Sequence, residues 1–206
     1  MNKQDVLSTP LREVIFTRRS VRRFKPEPVP SSVVERMLDA AIWAPSAHNR
    51  QPWRFVVIQT AERITGLAQA MGARLRRDLE ADGVPEAAIQ ADTEKSFRRI
   101  TSAPLLVVLC LSMVDMDVYA DAERQQLEFL MAVQSAALAG ENLLLSAHDE
   151  GLGACWMCAP LFCPDVVRAT LDLPEDWQPQ ALLAIGYPDE APQKTRRPLE
   201  ASVLWR

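Results

Sequence analysis

The residues best suited to chemistry lie early in the chain, in Arg18-Arg19-Ser20-Val21-Arg22. A guanidinium is a planar fork whose paired N–H donors match phosphate oxygens, and a neighbouring hydroxyl adds a neutral donor. Several such donors in so short a run can hold one phosphate. A solvated basic loop after a helix C-terminus, where the helix dipole favours cations, would carry the same residues. Spacing alone leaves both readings open. A second polar segment, Ala44–Trp53 (APSAHNRQPW), contains two prolines and is dense in side-chain donors and acceptors. Such a loop can read the edge of a heteroaromatic ring. It can equally be a turn whose Ser and Asn side chains tie up local backbone groups.

The cysteines suggest less. Cys155-Trp156-Met157-Cys158 is a CxxC, with Cys163 close behind and Cys110 upstream. A structural zinc takes four ligands as a rule, and the histidines are only His48 and His148. A redox dithiol normally opens a helix, whose dipole lowers a thiol pKa. This pair lies on or just after an expected strand. The cysteines are therefore expected to be buried, inert thiols with no metal. His48 is expected as an ordinary loop residue, and His148 as one that steadies a helix C-terminus.

The elements that must position these residues follow from pattern and punctuation. A first helix is expected over Pro10–Thr17, and Pro26, Pro28 and Pro30 then interrupt regular structure. Ser32-Val-Val-Glu35 has the form of a capping box opening a helix, with Val33, Val34, Met37, Leu38, Ala41 and Ile42 as its buried stripe. A strand is expected over Arg54–Gln59, a long helix from Ala61 to about Asp82, and a polar, partly exposed helix over Pro85–Thr101. Pro104–Ser112 (PLLVVLCLS) reads as a strand buried on both faces. Asp121–His148 is the longest helix and is apolar on nearly every side, as expected in a core or between subunits. Gly140 within it permits close backbone approach. Short strands at Ala154–Met157 and Gln180–Gly186 flank a helix beginning at Pro164, and an extended, proline-bearing arm follows Tyr187. Strands alternating with helices, with no linker composition anywhere, give a single α/β or α+β domain over residues 1–206.

Composition bounds the function. The chain has 206 residues, 48% hydrophobic and 24% charged, which is ordinary for a globular domain and excludes disordered and fibrous classes. Its net charge of −4 offers no general attraction to nucleic acid, yet the Arg12–Lys25 window alone is +5. A local cationic cluster in an acidic chain points to a small anionic ligand. The first residues, MNKQDVLSTPLREV, contain no apolar signal core, and the longest uninterrupted apolar run is far short of the roughly 20 residues that span a bilayer. A cytoplasmic protein without membrane or nucleic-acid partners is expected.

Taken together, the motifs become specific. Arg-Arg-Ser-x-Arg-x-Phe (from Arg18), then roughly twenty residues to Ala-Pro-Ser-x-x-Asn-x-Gln-Pro-Trp (from Ala44), resembles the nitroreductase family of FMN-binding oxidoreductases. Gly151-Leu-Gly-Ala-Cys-Trp156, the strand ending at Gly186 and the arginine-bearing tail are similar to further parts of that family. Arg77–Gly83, Cys155-Trp156 with Leu161-Phe162, and Leu171–Trp177 resemble one branch of it, the reductase domain that completes the deazaflavin coenzyme F-420 beside a glutamyl ligase.

The resemblance implies an α+β nitroreductase-like fold, with a central mixed sheet flanked by helices, in an intertwined homodimer with FMN between subunits. It implies that Arg18, Arg19 and Ser20, with Val21 in the same segment, hold the FMN phosphate and ribityl chain, and that Arg22 stands near the pyrimidine edge. Ser46 would reach the flavin of the partner subunit. Arg196, with Arg197 one residue on, would close on the phosphate. Cys158 falls where relatives often have glycine, beside the backbone facing flavin N5, so its side chain narrows that site. Asp78 matches a substrate-contacting position of the branch, although Arg74 one turn earlier offers it an ordinary ion-pair partner. Near a helix C-terminus the anions Asp78, Glu80 and Asp82 are unfavourable, which hints at a further role. No side chain is required as an obligatory acid or base. The expected activity is hydride transfer to an unsaturated deazaflavin precursor. The alternatives are a generic NAD(P)H-dependent nitro or quinone reductase, flavin breakdown to a benzimidazole, a non-catalytic anion-binding module, and a CxxC redox or metal module.

Overall fold

The computed structural model describes residues 10–206. The single-domain expectation over 1–206 therefore reaches nine residues beyond what is described.

Four strands form the central sheet: β1 (Trp53–Ile58), β2 (Leu105–Leu111), β3 (Gly153–Met157) and β4 (Gln178–Gly186). Their order is β1-β2-β4-β3, and every neighbouring pair is antiparallel. Among the described residues the one parallel pairing is an isolated bridge, Ser20 to Ala154, so the mixed character expected of the sheet reduces to that contact. β2 lies centrally and is buried at all seven positions, as its unbroken apolar run requires. Its side chains alternate between two cores. Leu105, Val107, Leu109 and Leu111 face one, while Leu106, Val108 and Cys110 face the other.

Helices cover both faces. On the first face lie α2 (Ser31–Ile42) and the 28-residue α5 (Ala122–Asp149), with Met37, Ala41, Ala132, Ala136, Leu143 and Ala147 against the sheet. On the second lie α3 (Ala61–Ala81), the end of α4 (Glu86–Thr101) and α6 (Pro164–Leu171), contributing Leu67, Met71, Ile100 and Val167. Each fully buried leucine or isoleucine contributes about 1.5–3 kcal/mol relative to exposure. α1 (Pro10–Thr17) packs on α5 from outside the sandwich.

Several expectations need correction. Ser32 and Glu35 do not form a capping box. The helix starts one residue earlier at Ser31, Pro30 stands at the cap with φ −61° and ψ 141°, and no side chain caps it. Proline's fixed φ sets the entry geometry, so no hydroxyl is recruited. α5 instead has a true cap, since Asp121 accepts from the Arg124 N–H at 2.8 Å. α5 is long and apolar enough to cross a bilayer, contrary to the expectation that no segment is. Nine of its residues are nonetheless buried, most of them against the sheet, so it acts as a core helix. It is also not covered all round: Leu127, Leu130 and Leu138 are exposed. Gly140 behaves as expected, because a Cβ there would collide with the Trp156 ring.

Candidate functional site

The cationic segment runs beside β3 and is tied to it by an isolated bridge, Ser20 to Ala154. The Val21 N–H donates to Ala154 O at 3.0 Å, and Phe24 pairs antiparallel with Pro188 of the tail. Gly153 makes this possible: a Cβ there would fall 2.7 Å from Val21 Cβ. The tail is tied on by Lys25 N–H to Tyr187 O (2.9 Å) and Asp189 N–H to Arg23 O (3.0 Å). Glu190 completes the junction. Its Oε1 accepts from the Arg22 and Arg23 N–H groups at 2.6 and 3.2 Å, and Oε2 lies 3.3 Å from Arg23 Nε. The Arg22 N–H above all holds the Glu190 carboxyl below its usual pKa. Nothing local in the sequence marks Glu190 as a partner for residues 168 positions away.

Between this segment, the end of α5 and the tail lies a cleft of about 360 Å³. Arg18, Arg19, Val21, His148, Gly153 and Glu190 are among its lining residues. The Arg18 side chain is only 19% exposed, and Glu141 is 3.7 Å from its Nε. Arg19 Nη1 donates to Phe16 O at 2.7 Å and to Arg18 O at 2.8 Å, so it also closes the end of α1. The donor set suits a phosphate monoester, with two guanidinium groups in a half-enclosed cleft. Among the described residues, the one carboxylate in its lining, Glu190, is already engaged by two backbone N–H groups and an arginine.

The segment expected to read a ring edge is held in an unusual shape. His48, Asn49 and Gln51 have φ of 48°, 55° and 51°. Left-handed backbone at non-glycine residues costs on the order of 1 kcal/mol each or more. Several bonds stabilise it. Ser46 Oγ accepts from the Gln51 N–H (3.0 Å), and the Ala47 N–H donates to the buried Ser135 Oγ (3.2 Å). Arg50 pairs with Asp117, whose N–H donates to Glu128 Oε1 at 3.2 Å. Thus α5 anchors the loop through Ser135 and, at one remove, Glu128. Neither residue stood out in the sequence, because each reads there as a polar interruption of an apolar helix.

Arg18, Arg19 and Val21 come together in the cleft, with Ser20 and Arg22 on the same strand-like segment. Ser46, Asp78, Cys158 and Arg196 do not line it within one chain. Arg196 follows the last lining residue, Gln193, by three positions, and its Nη1 donates to Thr195 O at 3.5 Å. Asp78 is bound by Arg74 at 2.9 and 3.1 Å, and Arg74 also reaches Asp165 at 3.1 Å. The carboxylate thus has the ion-pair partner that helical spacing offered.

All four cysteines are free thiols, and Cys110, Cys155 and Cys163 are buried. Burial pushes the Cys110 thiol up to about 12 and raises Cys155 and Cys163 as well. Cys158 departs from expectation. It is exposed, and its Sγ accepts from Trp156 Nε1–H at 3.1 Å. One thiol per folded chain, Cys158, is expected to react rapidly with a disulfide reagent at mildly alkaline pH, the other three only on unfolding. Peptide mapping of the labelled protein checks this. Rapid labelling of Cys155 would contradict it.

Comparison with known proteins places this arrangement. The nitroreductase family profile matches residues 15–187. An NADH dehydrogenase of Thermus thermophilus is 33% identical over 214 residues, covering 92% of each protein. A BluB-like flavoprotein of Clostridium difficile superposes with a TM-score of 0.80 at 27% identity, covering 97% of this chain and all of that one. A nitroreductase-like protein of Desulfovibrio desulfuricans, solved in complex with FMN, has a TM-score of 0.74 at 27% identity, covering 97% and 98% of the two chains. Sequence and fold agree over nearly the full length, and this chain belongs to the nitroreductase family.

Proposed function

We propose that the protein is an FMN-dependent oxidoreductase that draws hydride from NAD(P)H and passes it to a small conjugated acceptor such as a nitroaromatic or a quinone. The observation that carries this reading is the cleft in which Arg18 and Arg19 converge beside Gly153. FMN supplies the two-electron relay when bound. The protein's own residues do the rest. Arg18 and Arg19 would offset the phosphate charge, and the resemblance gives the hydroxyl of Ser20, on the same segment, to the ribityl chain. Arg22, on the same segment, would supply a cation near the ring, which favours a ring that gains negative charge on reduction. Charge stabilisation of this kind needs no acid–base side chain, so no catalytic residue is assigned.

Arg22 therefore has its own signature. Arg22→Ala is expected to lower the midpoint potential of bound flavin by about 30 mV, the equivalent of about 1.4 kcal/mol in a two-electron couple. FMN occupancy should change little. Spectroelectrochemical titration measures both, and an unchanged potential would refute the role.

The reading extends to a homodimer. The uncovered apolar residues of α5, with Leu204 and Trp205 of the tail, offer surface for a second copy. Such a partner would also bring its Ser46 toward a shared site. A cytoplasmic location belongs to the same reading. The finer assignment, reduction of a deazaflavin precursor with Asp78 as a substrate contact, rests on motif resemblance in α3 and around β3. The Arg74 pairing gives Asp78 a sufficient structural role, so the generic acceptor is favoured. Anaerobic mixing of the FMN-loaded protein with NADH, NADPH or a deazaflavin precursor tests the choice. Bleaching of the flavin by a nicotinamide, then reoxidation by a quinone, is expected. Reoxidation by the deazaflavin precursor alone would favour the finer assignment, and no bleaching by either nicotinamide would refute the proposed donor.

A further inference from the structure

His148 was expected only to steady the end of α5, yet it lines the same cleft as Arg18 and Arg19. Its Nε2 lies 2.8 Å from Thr17 Oγ1. That hydroxyl donates its one proton to Glu13 O at 2.7 Å. It can therefore only accept from the ring, so Nε2 carries the hydrogen and Nδ1 is the nitrogen that titrates. We propose that His148 is a third, titratable cation of the phosphate end of this cleft, so that FMN is held more tightly as Nδ1 gains a proton. The inference rests on the FMN reading above and adds a residue to it.

The surroundings decide the sign. α1 presents Thr17, the cationic segment presents Arg18 and Arg19, and the tail presents Glu190. α5 itself adds Asp149 and, paired with Arg18, Glu141. Burial, then Arg18 and Arg19, disfavour the imidazolium, and Asp149 opposes them only in part. A phosphate monoester brings about −1.5 to −2 charge, which reverses the balance. The folded pKa of His148 is then higher with the ligand than without it. The gain in affinity is complete below the ligand-free pKa and is lost as pH rises through the ligand-bound one.

The test titrates the flavin-free protein and its His148→Gln variant with FMN and with riboflavin, following flavin fluorescence from about pH 5.5 to about pH 8.5, across the histidine range. Glutamine keeps an N–H for Thr17 and removes the titration. The ionisation of the free ligand's phosphate is common to both titrations and cancels in their affinity ratio. The wild-type to variant ratio for FMN is expected to rise about tenfold toward low pH, one pKa unit of coupling, while the riboflavin ratio stays flat. A flat FMN ratio, or an equal change with riboflavin, overturns the inference while leaving the FMN reading intact. No FMN binding at any pH overturns both. The wild-type protein gives a second measurement, because its only histidines are His48 and His148. Ring NMR signals should show FMN raising the midpoint of His148, and an unmoved His148 midpoint would overturn the inference even if the variant misfolds.

Discussion

Replacing Arg18 with alanine is expected to weaken FMN binding about 100-fold while barely changing the melting temperature. A hydrogen bond to a charged group is worth about 1.5–3 kcal/mol, the upper half of which corresponds to such a factor. Arg18 is mostly enclosed but, among the described residues, has only Glu141, at 3.7 Å and half-exposed, as an ion-pair partner. A pair of that kind contributes about 0–1 kcal/mol to folding. The charge therefore counts chiefly toward the ligand. Arg19→Ala should behave differently, since Arg19 also closes the end of α1 through Phe16 O and Arg18 O. Its loss should lower the melting temperature more than that of Arg18. Fluorescence titration beside thermal denaturation separates the two effects. An Arg18→Ala protein that keeps wild-type affinity would remove Arg18 from the site.

The second large effect is expected from a single methyl group. Gly153→Ala places a Cβ 2.7 Å from Val21 Cβ and 2.9 Å from both of its methyl carbons. Cβ is fixed to the backbone, so no rotamer relieves the clash. Overpacking of this kind costs about 1–3 kcal/mol, and opening the Val21–Ala154 hydrogen bond adds about 1 kcal/mol. A fall in melting temperature of roughly 5–10 °C follows for a domain of this size. FMN affinity should fall as well, because the displaced segment carries Arg19 and Ser20. Gly72→Ala in α3 is the control, with nothing within 4 Å of the new methyl. It should stabilise the protein by about 0.5–1 kcal/mol through helix propensity. If the two substitutions behave alike, close approach at Gly153 is not what holds the cationic segment.

Much of the fold could be read from local pattern. The unbroken apolar run became β2, buried throughout. The bounds of α1, and Pro164 as the opening residue of α6, also fell where punctuation put them. The capping box failed because its pattern is only two residues long in effect, and Pro30 fixed the same turn by another means. The site was legible in its cations and illegible in what positions them. Glu190 and His148 act through contacts 168 and 131 residues apart in sequence. In sequence they look like an acid in a proline-rich tail and a histidine at a helix end. Ser135 and Glu128 look like flaws in an apolar helix until the loop they anchor is seen. Asp78 shows the opposite case, where helical spacing to Arg74 already accounted for the residue.

Native mass spectrometry of the FMN-supplemented protein tests the central claim most directly. The account predicts one species of twice 23.0 kDa plus two FMN, one per Arg18–Arg19 cleft. It predicts loss of FMN from the Arg18→Ala protein with the dimer retained. A monomer without flavin, or a dimer that binds FMN equally well without Arg18, would contradict it.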